Sequence, residues 1–165
     1  MPYLIDGHNL IGFIRGMSLR DPHDERRLLE FLAPLAHILR RRMVVFFDRG
    51  ESGSRGGNPP IGQVEARFIP PPGTADSAIL GYLRERKDAR NYTVVSSDSA
   101  VGDRARRLGA KTVRAEAFLR DARSAVARNR KEKPPGDPEE IEDWLRLFGV
   151  YQVGPDGLEP STNSL

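Results

Sequence analysis

Apolar positions along this chain follow two rhythms. Short, nearly unbroken apolar runs alternate with longer stretches in which apolar residues recur every three or four positions. Tyr3–Asp6 is the first run and Met43–Asp48 (MVVFFD) the second. The second is apolar on both faces, which predicts a central parallel strand. Gln63–Ile69 instead alternates Val64, Ala66 and Phe68 with Glu65 and Arg67, and predicts a strand near a sheet edge. Tyr92–Ser97 and Ala110–Val113 are the remaining strand-like runs.

Helical patterns separate them. Asp21-Pro22-His23-Asp24 reads as an N-cap, a proline at the first helical position and an acid in the first turn. The helix it opens carries Leu28, Leu32, Leu35, Ala36 and Leu39 on one face, and Pro34 within it should kink or split it. Thr74 caps a second helix with Ala78, Ile79, Tyr82 and Leu83 as its buried stripe. Ser99–Leu108 is a third, stopped by Gly109, and Glu116–Arg130 a fourth, buried through Phe118, Leu119, Ala122 and Val126. This alternation predicts an α/β fold, a parallel sheet with helices on both faces.

The domain is expected over residues 1–131. Residues 132–150 read as a linker and a helix packed on the domain, opened by Asp137-Pro138-Glu139-Glu140 and apolar at Ile141, Trp144, Leu145 and Phe148. Residues 151–165 have no periodicity and are expected to be disordered. The polar loop Arg49–Pro60 is rich in glycine and proline, as functional or disordered loops are.

Composition removes several classes. With no cysteine, neither disulfides nor a thiolate zinc site is available. No apolar run approaches the roughly 20 residues of a membrane span, and no basic-then-apolar leader opens the chain, so a soluble cytoplasmic protein without a membrane partner is expected. Net charge is +3, but the segment from Tyr151 onward holds only two acids, Asp156 and Glu159, leaving +5 on residues 1–150. All but four of the 26 basic residues are arginine, which suits bidentate phosphate contacts and is equally what a GC-rich genome supplies.

The chemistry concentrates in four aspartates. Asp6, Asp48 and Asp98 each follow a strand, and Asp76 falls in the first turn of the helix that Thr74 caps. Acids at the carboxyl ends of parallel strands converge on one crevice. Two carboxylates roughly 5 Å apart repel by about 3 kcal/mol at an effective dielectric of about 20. Four would protonate or require divalent cations, and oxygen ligands of this kind favour Mg²⁺ or Mn²⁺. Such ions promote in-line hydrolysis of phosphodiesters. Taken singly, an aspartate at a strand end is more often a helix cap or turn former than a ligand, and Asp6 stands above the others because Gly7 lets the backbone approach closely.

Other residues are weighed against duller roles. Asn9 could orient the Asp6 carboxylate, and Ser97, beside Asp98, could bond a carboxylate or phosphate. His8 has a suitable pKa for a general base but sits in a turn. Asp103 reads as one half of a solvated ion pair. Arg40, Arg41 and Arg42 fall at the end of the sheet opposite the acids, whereas Arg15, Arg20, Arg49 and Arg55 lie on the acidic side and are the candidates for holding a phosphate backbone.

In order and spacing, YLIDGHNLI, VVFFDRG, GTADSAI and VVSSDSAV resemble the NYN domains of the PIN-like nuclease superfamily, and among them the bacterial YacP-like branch. The resemblance covers roughly residues 1–120. It implies a three-layer α/β/α PIN-like fold with a mostly parallel sheet, dependence on Mg²⁺ or Mn²⁺, endoribonuclease activity on RNA, and a link to messenger RNA decay on or near ribosomes. Carried across, Asp6, Asp76 and Asp98 match the metal-binding acids, Asp48 the acid after the second strand, Asn9 the opening asparagine and Ser97 the hydroxyl residue before the last acid. His8 departs from the tyrosine common in the family, and Arg49 from a small residue. The rival class is a non-catalytic RNA-binding PIN-like module, although a binder of polyanions gains nothing from clustered acids. An aspartate-nucleophile phosphatase lacks its second acid, since Gly7 and His8 follow Asp6.

Overall fold

The strand made of Tyr3–Asp6 (β1) is the centre of the molecule, because its apolar residues are covered on both faces. The computed structural model describes residues 1–48 and 60–132. In it β1 is flanked by β2 (Met43–Asp48) and β4 (Thr93–Val95), with β3 (Val64–Ile69) and β5 (Lys111–Val113) at the edges. The order is β3-β2-β1-β4-β5 and every pair is parallel. The chain builds outward from β1 in one direction and then in the other, so the topological switch lies between the carboxyl ends of β1 and β4.

Side-chain alternation divides the core into two layers. Ile5, Val45, Phe47 and Val95 pack with α1 (Gly7–Ile11), α2 (Asp24–Leu39) and α5 (Ala115–Glu132). Leu4, Val44, Phe46 and Val94 pack on the other face with α3 (Ala75–Arg84) and α4 (Ser99–Arg107). This is the expected α/β/α arrangement. Among the described residues no helix is long and apolar enough to cross a membrane.

Several local expectations are corrected. α1 has no counterpart in the sequence reading, because five residues are too few to display a helical period. α2 begins at Asp24, with His23 at its N-cap. Asp21 makes a turn instead, its Oδ1 accepting from the His23 N–H at 2.9 Å. Pro34 does not split α2, which runs through it on a partly exposed stretch where the lost amide bond is tolerable. The run at 92–97 is strand only over Thr93–Val95; Ser96 N–H still donates to Val113 O on β5 at 3.1 Å, and Ser97 N–H turns instead to the Asn9 side chain. Glu132, expected to open the linker, is the last residue of α5; the rest of the linker, the helix after it, the tail from 151, and Arg49 and Arg55 lie outside the described residues.

The arginine run stands at the amino end of the sheet as expected. Arg42 pairs with Glu65 on β3, and the Arg41 guanidinium lies 5.5 Å from the centre of the Tyr3 ring. At the other end Gly7 permits the chain to turn from β1 into α1 directly over Phe47. A Cβ at Gly7 would overlap that ring, standing 3.0 Å even from its Cζ. Gly7→Ala is therefore expected to destabilise the fold by about 2 kcal/mol, measured as a lower midpoint in urea.

Candidate active site

Strand parity turns the acids to one side of the sheet, where Asp6 meets Asp76 and Asp48 and Asp98 act by charge; among the described residues no three of the four bring oxygens within 4.8 Å of one another. Asp6 continues the face of β1 that carries Leu4, and Asp48 the face of β2 that carries Phe46; both turn toward α3. Asp76 stands in the first turn of α3, and Asp98 is the N-cap of α4 on the same side of the sheet. The four acids sense one another electrostatically. The Asp6 and Asp76 carboxyls are in hydrogen-bonding contact, Asp48 acts on both, and Asp98 acts on Asp76.

Burial sets their ionisation. Asp6 is only 8% exposed, and burial, reinforced by Asp76 and Asp48, pushes its carboxyl up to about 7 against the amide of Asn9, which lowers it. Asp76 is raised too, chiefly by burial, with Asp98 and Asp48 adding to it while Asp6 and Arg104 on α4 oppose it. The direction of both shifts is consistent with a proton shared between Asp6 and Asp76 in the absence of a cation.

Three of the acids also cap helices. Asp6 Oδ1 accepts from Asn9 N–H at 3.3 Å, and Asp98 Oδ1 accepts from Ala100 N–H at 2.8 Å and Val101 N–H at 3.3 Å. Asp48 Oδ1 reaches across the structure to accept from Ala75 N–H at 2.6 Å, at the start of α3. Thr74 and Ser77 complete a capping box there, which occupies the Ser77 hydroxyl. The structural and functional readings of these aspartates thus coexist. A backbone N–H at a helix start fixes one oxygen of each of these three carboxyls.

Asn9 and Ser97 form a brace rather than a carboxylate clamp. The Asn9 side chain accepts from Ser97 N–H at 2.9 Å, so it is the backbone of Asn9, not its amide group, that holds Asp6. The Ser97 hydroxyl donates to Glu116 and accepts from Ala115 N–H at 3.0 Å. Ser96 Oγ accepts from Asp98 N–H at 3.2 Å. Together these bonds tie the carboxyl ends of β1 and β4 to the start of α5. Asp103 pairs with Arg106 on an exposed surface, as expected.

A second cluster lies on the α1–α2 side, and sequence reading did not assemble it. One ligand atom each from His8, Asp24 and Glu25 falls within 4.8 Å of the others, the only such group of three among the described residues. His8 Nε2 is 3.3 Å from Glu25 Oε1, and its ring meets Phe47 edge-on at 5.4 Å between centres. Asp24 is 7% exposed, with Oδ1 accepting from Glu25 N–H at 2.7 Å. Its position at a helix start carried no signal beyond that of an ordinary first-turn acid. Arg104 and Glu116 were likewise missed, since only the folded chain places them beside Asp76 and Ser97.

A parallel five-stranded sheet, helices on both faces and carboxylates gathered at the switch point define a PIN-like α/β/α protein. The family model of the YacP-like NYN domain matches residues 3–144, and the chain belongs to that family, one of RNase-type nucleases. Its fold is similar to the crystal structure of Rae1 (YacP) from Bacillus subtilis, with a TM-score of 0.63 and 23% identity over 93% of this chain and 95% of that one. A mutant of the same protein gives a TM-score of 0.64 at 22% identity, covering 90% and 92%. No curated protein matches the chain.

Proposed function

We propose that the protein is a divalent-metal-dependent endoribonuclease that hydrolyses RNA phosphodiester bonds, acting in messenger RNA decay or RNA processing on or near ribosomes. The observation that carries this reading is the mutual contact of buried Asp6 with Asp76, inside the field of Asp48 and Asp98. An all-oxygen acidic donor set of this kind fits Mg²⁺ or Mn²⁺. Asp6, Asp76 and Asp98 would hold the cation, with Asp48 as the fourth acid. A bound ion of this type stabilises charge on a phosphate and lowers the pKa of water.

The residues of the chain have separable tasks in this scheme. Asp98 is held by the α4 amides, so its orientation survives loss of the other acids. Asn9 and Ser97 keep the β1 and β4 ends in register. Arg104 offsets part of the acidic field at Asp76. Arg15 and Arg20, beyond α1, supply positive charge for the RNA backbone, and Arg49 and Arg55 are assigned the same task from the sequence.

A second reading puts the cation at His8, Asp24 and Glu25, favoured by ligand atoms that all lie within 4.8 Å of one another. Both are tested by incubating a labelled RNA with Mn²⁺ and the parent protein, Asp98→Asn or Asp24→Asn. Cleavage lost with Asp98→Asn alone supports the first site, and cleavage lost with Asp24→Asn alone supports the second. Internal cleavage that survives both substitutions, or chelation by EDTA, sinks the metal-centred reading.

A further inference from the structure

We infer that the loop from Gly12 to Arg20 is a stacking platform on which Phe13 holds an unpaired nucleobase of single-stranded RNA, while Arg15 and Arg20 contact its phosphates. The inference rests on the nuclease reading and adds how the substrate is held. Large hydrophobic side chains exposed among the described residues are Met1, Phe13 at 43% and Leu19 at 58%. Two of these three therefore fall within one loop, GFIRGMSLR, which carries two arginines and no acid.

The loop lies toward the carboxyl end of the sheet, on the face that α1 and α2 cover. It starts from α1, which follows Asp6 directly, and leads through the turn at Asp21 to α2, whose first turn touches His8 through Glu25. Its conformation is set by the protein itself. Ile14, 4% exposed, anchors it in the core between exposed Phe13 and Arg15. Phe13 N–H donates to Leu10 O at 3.0 Å and Ile14 N–H to Ile11 O at 3.1 Å, continuing the turn of α1. Arg27 on α2 clasps the far side, donating to Asp21 Oδ2 at 2.8 Å and to Gly16 O at 3.2 Å. Gly16 has φ +83°, a conformation that disfavours any side chain.

A preformed loop with one projecting ring and flanking cations matches what an unstacked base requires. Aromatic rings stack on any base face, and arginine reaches the adjoining phosphates. A phosphate chain approaching four carboxylates also needs positive charge at the rim. In a duplex the base faces are already stacked, so the platform selects single strands. Two exposed apolar side chains are far fewer than the roughly 20 residues a stable protein interface employs, which argues against a protein occupant.

The test uses full-length protein carrying Asp76→Asn, so that RNA is bound without being cut, and fluorescence anisotropy of a labelled oligoribonucleotide. Adding Phe13→Ala is expected to weaken binding of the single strand about tenfold, and Phe13→Tyr to restore it. Affinity for a duplex of the same sequence should be unchanged by either. One abasic position in the oligonucleotide should cost the Phe13-containing protein the same factor and cost the Phe13→Ala protein nothing. Equal single-strand affinity with and without Phe13, or equal losses for strand and duplex, overturns the platform while leaving the nuclease reading intact. If the Phe13-containing protein binds neither RNA, both readings fall.

Discussion

Asp76→Asn is expected to lower the rate of RNA cleavage by at least about 10²-fold, close to 3 kcal/mol of barrier, without harming the fold. Asp76 is the acid on which the others act: Asp6 by hydrogen bond, Asp98 and Asp48 through their charge. Asparagine keeps its shape but removes the charge that would retain a cation. The start of α3 does not depend on it, because Thr74, Ser77 and the Asp48 carboxylate cap that helix. Single-turnover cleavage of an end-labelled RNA in Mn²⁺, beside a thermal melt of each protein, measures the two effects separately. A folded Asp76→Asn protein that cleaves at the parent rate would remove Asp76 from the site.

The second large effect concerns stability. In the metal-free protein Asp6→Asn is expected to be more stable than the parent, by a margin that grows with pH. The folded-state carboxyl of Asp6 is raised to about 7 from an ordinary 3.8, so the folded protein binds a proton that the unfolded chain releases. Stability from this group is therefore full below about pH 3.8 and is lost as pH rises through 7. At about 1.4 kcal/mol per pKa unit the whole loss is up to about 4 kcal/mol. Asparagine has no such titration and can still accept from Asn9 N–H as an N-cap. Urea melts in EDTA should show the variant's advantage widening between pH 4 and 7 and levelling off above. Adding Mn²⁺ at pH 8 should then stabilise the parent and shift the variant far less. A pH-independent difference would mean that Asp6 is not a buried carboxyl of raised pKa.

The two experiments address one trade-off. Carboxylates gathered for a cation repel one another when it is absent, so the site lowers the stability of the scaffold that holds it.

Elements with a sustained pattern were legible in the sequence. Met43–Asp48 reads as a central strand because both its faces are apolar, and the structure forms it over those residues. Thr74 reads as a helix cap because its hydroxyl can accept from an amide three residues on, which it does at 3.1 Å. α1 was not legible, since five residues show no period, and neither was the true start of α2, where Asp21 satisfies a turn before the helix begins. The roles of Asn9 and Ser97 were only partly legible. Local proximity suggested that Asn9 holds Asp6, whereas its side chain bonds Ser97, 88 positions along the chain.

From the sequence alone came the parallel α/β layout, the family resemblance and the positions of four aspartates at strand ends and a helix start. These depend on local propensity and alternation, which each short stretch carries within itself. Tertiary structure decided which carboxyls meet. The register of β1 against β2 turns Asp6 and Asp48 to the α3 face, and the packing of α3 and α4 on that face brings in Asp76 and Asp98. It also set His8 beside Asp24 and Glu25 across the sheet, and Arg104 beside Asp76. Side chains far apart in the chain acquire a shared field, and a shared proton affinity, only when a common core fixes the distances between them.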